Sequence, residues 1–123
     1  MTNLEFEKLI IEAVEALPKS IRKKMKNVAI TLEDDESSNG QLLGLYHGVP
    51  QTGRGVNYYG VLPDKITIYK TTIEKSVHDI EELKCMVRRV VWHEIGHHFG
   101  FSETAIGKLE KKWEKENITI SFH

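Results

Sequence analysis

His93-Glu94-Ile95-Gly96-His97-His98-Phe99-Gly100-Phe101-Ser102-Glu103 decides how the rest of this chain is read. Residues four apart on a helix share a face and lie about one turn, ~6 Å, apart along its axis. His93 and His97 have that spacing, so their imidazoles can share one tetrahedral metal ion. Glu94 projects ~100° round the helix from His93, off the ion itself but within reach of a water beside it. A carboxylate so placed can take the proton of an attacking water and later return it to a leaving amine. A catalytic site of this kind keeps one position open and needs a third protein ligand. Gly100 is where the chain can enter the left-handed region and reverse, and Glu103 can then swing back under the two histidines. A chance His-Glu-x-x-His has odds of roughly 3% in a chain of this composition. Requiring the later Gly and acid lowers that to well under ~0.1%.

The plainer account is an amphipathic helix whose histidines belong to the core or the surface. Against it, the three polar groups continue the apolar stripe of Leu83, Met86, Val87 and Val90. Burying two imidazoles and a carboxylate there is costly without a partner, and a metal supplies one. The alternative third ligands are Glu110, Glu114 and Glu116 on the following helix. His98 points ~100° away from His97 and reads as a packed or hydrogen-bonded histidine. Gly96 costs ~1 kcal/mol against alanine inside a helix, and a close approach by another backbone would account for it. Cys85 reads as a small apolar residue.

Working outward, Asp79-Ile80-Glu81-Glu82 has the form of a helix start, an acceptor followed three residues later by Glu. The helix it opens runs to about Phe99 and, through Val90-Val91-Trp92, is apolar nearly all round, which marks it as central. After Gly100, Ser102 caps a further helix through Leu109 and Trp113 to about Glu116, and the tail from Asn117 to His123 is a last strand or frayed. Near the start, Phe6, Leu9, Ile10, Ala13, Val14 and Leu17 follow a 3.6-residue period, with Thr2 or Asn3 as cap and Pro18 as stop. Lys19 to Lys26 is a basic connector with room for one helical turn. Strands are expected at Asn27 to Leu32, Gln41 to Tyr46 and Lys65 to Lys70. Glu33 to Gly40 is an acidic loop. A stretch punctuated by Gly48, Pro50, Gly53, Gly55 and Gly60 reads as a long loop that either lies on the surface or rims a cleft. Helix, strands and then helices, without βαβ alternation, make the class α+β.

The 123 residues suit a single domain spanning 1–123. A net charge of -1, from 17 basic and 18 acidic residues, gives no field that would draw nucleic acid or an anionic membrane. Cys85 is the only cysteine, so neither an internal disulfide nor a thiolate cage is available. No apolar run approaches the ~20 residues of a membrane span, and the opening Met1-Thr2-Asn3-Leu4-Glu5 lacks the layout of a signal peptide. The expected location is the cytoplasm.

The run HEIGHHFGFSE resembles the HExxHxxGxx(D/E) site of a family of minimal zincin-like proteins, small bacterial zinc metallopeptidases. LLGLYHGVP at Leu42 to Pro50 and GVLPDKITIY at Gly60 to Tyr69 resemble the upstream blocks of that family. The resemblance implies a reduced zincin-like fold, a small mixed β-sheet packed on an active-site helix with flanking helices. It implies one Zn2+ per chain on His93, His97 and Glu103, with Glu94 as general base. Glu103 is one methylene longer than the aspartate more usual there, and no Met-containing turn follows the site. The implied activity is hydrolysis of peptide bonds in a peptide or flexible protein segment, and an edge strand at Gln41 to Tyr46 can bind such a segment by strand addition. The rival expectation is a non-catalytic zinc-binding or interaction module whose cleft is completed by a protein partner. His47, Tyr46, Tyr58 and Tyr59 are candidates to stabilise an oxyanion, with ordinary packing as the alternative; Arg54 is a candidate to steady negative charge at the cleft, or simply an exposed loop residue.

Overall fold

A computed structural model describes residues 1–25, 27–34, 42–48 and 64–121, without the side chains of 113, 114 and 116–121. The elements in chain order are α1 (Asn3–Glu15), α2 (Lys19–Lys24), β1 (Val28–Glu33), β2 (Gly44–His47), β3 (Asp64–Tyr69), α3 (Lys70–Lys75), α4 (Ile80–His98) and α5 (Glu103–Ser121). The class is α+β, as expected, and the sheet is small and mixed. β3 is its centre, parallel to β1 and antiparallel to β2, in the order β1-β3-β2.

α1 begins with a complete capping box. The Thr2 hydroxyl accepts from the Glu5 N–H at 3.1 Å while the Glu5 carboxylate accepts from the Thr2 N–H at 3.2 Å, which satisfies two donors a helix start leaves open. The periodic residues Phe6, Ile10, Ala13 and Leu17 are buried as the pattern requires. They pack with Leu83, Val87 and Val91 of α4 and with Ile66 and Ile68 of β3 in one core. Trp92 is fully buried in α4, and its indole N–H donates to the Ala13 carbonyl at 2.8 Å. That bond ties α4 to α1 and satisfies the one polar atom of a ring whose burial contributes ~2–3 kcal/mol.

α4 starts where Asp79 accepts from the Glu82 N–H at 2.8 Å. The Glu82 carboxylate reaches one residue further back than a capping box asks, to the His78 N–H at 2.8 Å. Apolar on several faces, α4 packs against α1, α3, α5, β2 and β3.

Two expectations shift. Lys70, read as the end of a strand, instead opens the short helix α3. The tail to Ser121, read as a strand or frayed, continues α5. The segments 35–40 and 49–63, read as loops, lie outside the described residues, as do Tyr58, Tyr59 and Arg54. Among the described residues, no helix is long and apolar enough to cross a membrane.

Candidate metal centre

The last turn of α4 and the first of α5 make the site, and the chain between them is tightly specified. Gly100 has φ 80°, a conformation that costs glycine nothing and other residues dearly. The Gly100 N–H bonds the His97 carbonyl at 2.9 Å and the Phe101 N–H bonds the Gly96 carbonyl at 3.1 Å. These are the two bonds of a Schellman ending. Ser102 then caps α5, its hydroxyl accepting from the Ala105 N–H at 3.2 Å. Glu103 is thereby the first residue of α5, where the helix dipole favours an anion.

The reversal carries the Glu103 carboxylate between the two histidines. One oxygen lies 3.2 Å from His93 Nε2 and the other 3.1 Å from His97 Nε2. The rings are 4.9 Å apart and inclined at 77°. Tetrahedral zinc, with ligand atoms at ~2.0–2.2 Å, sets those atoms ~3.3 Å from one another. The two nitrogen–oxygen separations, each to a different Glu103 oxygen, fall within a few tenths of that edge, so these side chains could hold such an ion. His93, Glu94 and His97 form a second donor trio, each able to offer an atom within 4.8 Å of the others. The two trios share the histidines and differ in the carboxylate. Glu103 makes the close contact with both rings, whereas Glu94 is buried beside them and already held by the Tyr46 backbone N–H. Burial pushes the Glu94 carboxyl above its usual range, and His97 and then His93 draw it part of the way back.

Two glycines set the approach of the neighbouring elements. A Cβ on Gly96 would lie 2.7 Å from Ile106 Cγ1, so the bare helix surface lets α5 sit close to α4. The expected partner of Gly96 was a backbone; the actual one is a side chain. A Cβ on Gly44 would lie 2.7 Å from Val90 Cγ1 and 3.3 Å from Glu94 Cγ, which seats β2 against the helix beside Glu94.

A sequence profile of the zincin-like metallopeptidases matches residues 25–113, well over half of the chain. The chain belongs to the zincin-like metallopeptidase family. No curated protein matches it. The matched span covers the zincin-like sheet, α3, α4 and most of α5.

Beside the zincin-like site is an open pocket of about 350 Å3, walled by Leu42, Leu43, Met86 and Val90, with His93 and Glu94 on one side. A larger groove of about 600 Å3 between α1 and β1 is lined by aliphatic side chains with Glu7, Glu15 and Thr31. It is far from the histidines and offers nothing to the chemistry.

Of the remaining candidates, Glu110 contacts His93, but at Nδ1, 3.2 Å away, rather than on the Nε2 side. The side chains of Glu114 and Glu116 lie outside the described residues. His47 is exposed on β2. The Tyr46 hydroxyl points the other way from an oxyanion role, donating to Asp64 Oδ2 at 2.6 Å. That same oxygen lies 2.9 Å from Nδ1 of His98. Asp64 and His98 are 1% and 0% exposed, so His98 is the hydrogen-bonded core histidine its direction implied. Gly48 packs so tightly on Asp64 that a Cβ there would overlap the carboxylate. The sequence reading gave Asp64 no role. Its one signal was an acid at the start of a strand that, Lys65 apart, is apolar or β-branched. Cys85, read as a small apolar residue, is exposed on α4.

Proposed function

We propose that this chain is a zinc-dependent peptidase in which His93, His97 and Glu103 hold one ion and Glu94 is the general base. The observation that carries the reading is the convergence of both Nε2 atoms on one carboxylate, 3.2 and 3.1 Å away, at the end of a helix that also presents a buried acid. Zinc, when bound, supplies a Lewis acid that polarises the carbonyl and makes a water acidic near neutral pH.

The other work falls to the chain itself. Glu94 takes the proton from the attacking water and hands it to the departing amine. The Tyr46 N–H fixes the direction of that carboxylate, and the bare Gly44 lets β2 approach Val90 and Glu94 closely.

The substrate reading is a peptide or a flexible protein segment, laid along β2. The Tyr69 N–H bonds the Leu43 carbonyl at 3.0 Å, and Gly44 pairs opposite Ile68. In an antiparallel ladder, bonded and non-bonded pairs alternate. Gly44 and Tyr46 therefore direct their backbone groups away from β3. Tyr46 gives its N–H to Glu94, and among the described residues the Gly44 N–H and C=O are open to an added strand. The pocket of Leu42, Leu43, Met86 and Val90 would receive an apolar side chain of that strand.

Elemental analysis of the purified protein and of a His93→Ala/His97→Ala variant tests the site, with about one zinc per chain expected in the parent and none in the variant. Glu94→Gln should keep the zinc and lose roughly 10²–10⁴-fold in hydrolysis of a flexible protein substrate. Zinc binding with no effect of Glu94→Gln would make the chain a non-catalytic zinc module. A parent that binds no zinc would end the reading.

A further inference from the structure

We propose that Glu110 is a positioning residue for this site, one that fixes the ring plane and tautomer of His93 so that Nε2 faces the ion. The inference rests on the zinc-site reading above.

His93 is bracketed by carboxylates from a single helix. Glu103 lies 3.2 Å from Nε2 and Glu110 lies 3.2 Å from Nδ1. The two acids are seven residues apart on α5, two turns or ~10.5 Å along the axis, and a seven-residue step drifts only ~20° round a helix. They therefore share one stripe. Ile106 sits on that stripe between them, seated over Gly96 of α4. The contact that packs the two helices also sets the reach of both carboxylates.

The two acids are not equivalent. The two nitrogens of an imidazole face different directions across the ring, so a group held at Nδ1 stands outside the sphere of an ion bound at Nε2. A neutral imidazole has one N–H and one lone pair. An acceptor at Nδ1 favours the form with the proton there and the lone pair on Nε2, the form a metal needs. Burial agrees with this division. The Glu110 side chain is 18% exposed, whereas that of Glu103 is 69% exposed. Glu110, an alternative third ligand in the sequence, so acts on His93 rather than on the ion.

The test compares zinc dissociation constants, by competition with a chelator, for the parent, Glu110→Ala, Glu110→Gln and His93→Ala. Nitrogen NMR of His93 in the zinc-loaded proteins and thermal unfolding of the metal-free ones complete it. Glu110→Ala should weaken zinc roughly 10–100-fold, less than His93→Ala does. Glu110→Gln should recover most of that loss, because its amide oxygen still accepts from Nδ1–H. NMR should find the proton of His93 on Nδ1 in the parent, and metal-free Glu110→Gln should unfold with the parent. Parent-like affinity in Glu110→Ala overturns the inference alone, since the ligand set then stands without it. So does an equal collapse of Glu110→Ala, Glu110→Gln and His93→Ala, which would make Glu110 a ligand. If the parent binds no zinc, or His93→Ala binds it as well as the parent, the zinc reading fails and this one with it.

Discussion

Replacing Asp64 with alanine should destabilise the protein by ~3–5 kcal/mol, without touching any residue of the metal site. The carboxylate joins three elements. Its Oδ2 is 2.9 Å from His98 Nδ1 on α4 and accepts from the Tyr46 hydroxyl of β2 at 2.6 Å, while the residue itself opens β3. Exposures of 1% for Asp64 and 0% for His98 leave no route for water to replace it. A buried donor that loses its acceptor costs ~1–3 kcal/mol; here the His98 donor is fully buried and the Tyr46 hydroxyl partly so. Hydrogen bonds to a charged group lie toward the upper end of such costs, ~1.5–3 kcal/mol each, which brings the sum to ~3–5 kcal/mol. Against a total stability of ~5–15 kcal/mol, the loss is a large share, equivalent to roughly 10–20 °C in melting temperature. Asp64→Asn keeps the shape and one carbonyl acceptor and should lose less than half as much. Urea unfolding followed by circular dichroism, with chelator present so that metal plays no part, measures both. A change below ~1 kcal/mol for Asp64→Ala would refute the reasoning, because the fully buried His98 donor alone should cost that much.

Gly96→Ala gains up to ~1 kcal/mol of helix propensity but sets a methyl 2.7 Å from Ile106 Cγ1. Overpacking costs ~1–3 kcal/mol, so the net effect should be destabilising in urea, with a parallel fall in zinc affinity as α5 is pushed off α4. An unchanged zinc affinity would show that α5 can shift without moving its carboxylates. Thr2→Ala should cost ~1 kcal/mol by removing the cap of α1. Its partner Glu5 has a carboxyl held below the usual range, first by the backbone hydrogen bond from Thr2 and then by the Thr2 hydroxyl. The sign follows from a lowered folded value: the contribution of Glu5 is complete above the ordinary carboxylate pKa of about 4.3 and fades as pH falls through the folded value. Parent and Glu5→Gln should therefore differ in stability at neutral pH and converge in acid; a difference that persisted unchanged in acid would contradict the capping box.

Much of the site was legible because its chemistry is local. His93, Glu94, His97, Gly100 and Glu103 act through helix geometry and one turn, and both are written in adjacent residues. α1, α4 and the three strands followed from periodicity, with ends off by one to three residues. What escaped depends on contacts between distant segments. Asp64 meets His98 across 34 positions, and no pattern near either residue announces the pairing. Glu110 was visible as an acid seventeen residues from His93, but its choice of Nδ1 depends on how closely Gly96 admits Ile106. Cys85 shows the limit of composition: a residue type usually buried sits on the exposed face of its helix. α3 was missed because Thr71-Thr72 has weak helix propensity, yet Ile73 is fully buried and pins the turn to the core.

The stripe of Glu103, Ile106 and Glu110 gives α5 a second meaning. An ion bound between α4 and Glu103 is also a clasp between two helices, so metal affinity and the seating of α5 are one linked equilibrium. Occupancy at a thousand times the dissociation constant adds ~4 kcal/mol to whatever holds the bound state together, and that gain falls on the α4–α5 contact before the rest of the fold. Losing the ion would thus loosen the C-terminal helix first, leaving α1, α4 and the sheet closed around Trp92. Amide exchange would see this as protection withdrawn from one helix alone, so that α5 records whether the proposed metal site is filled.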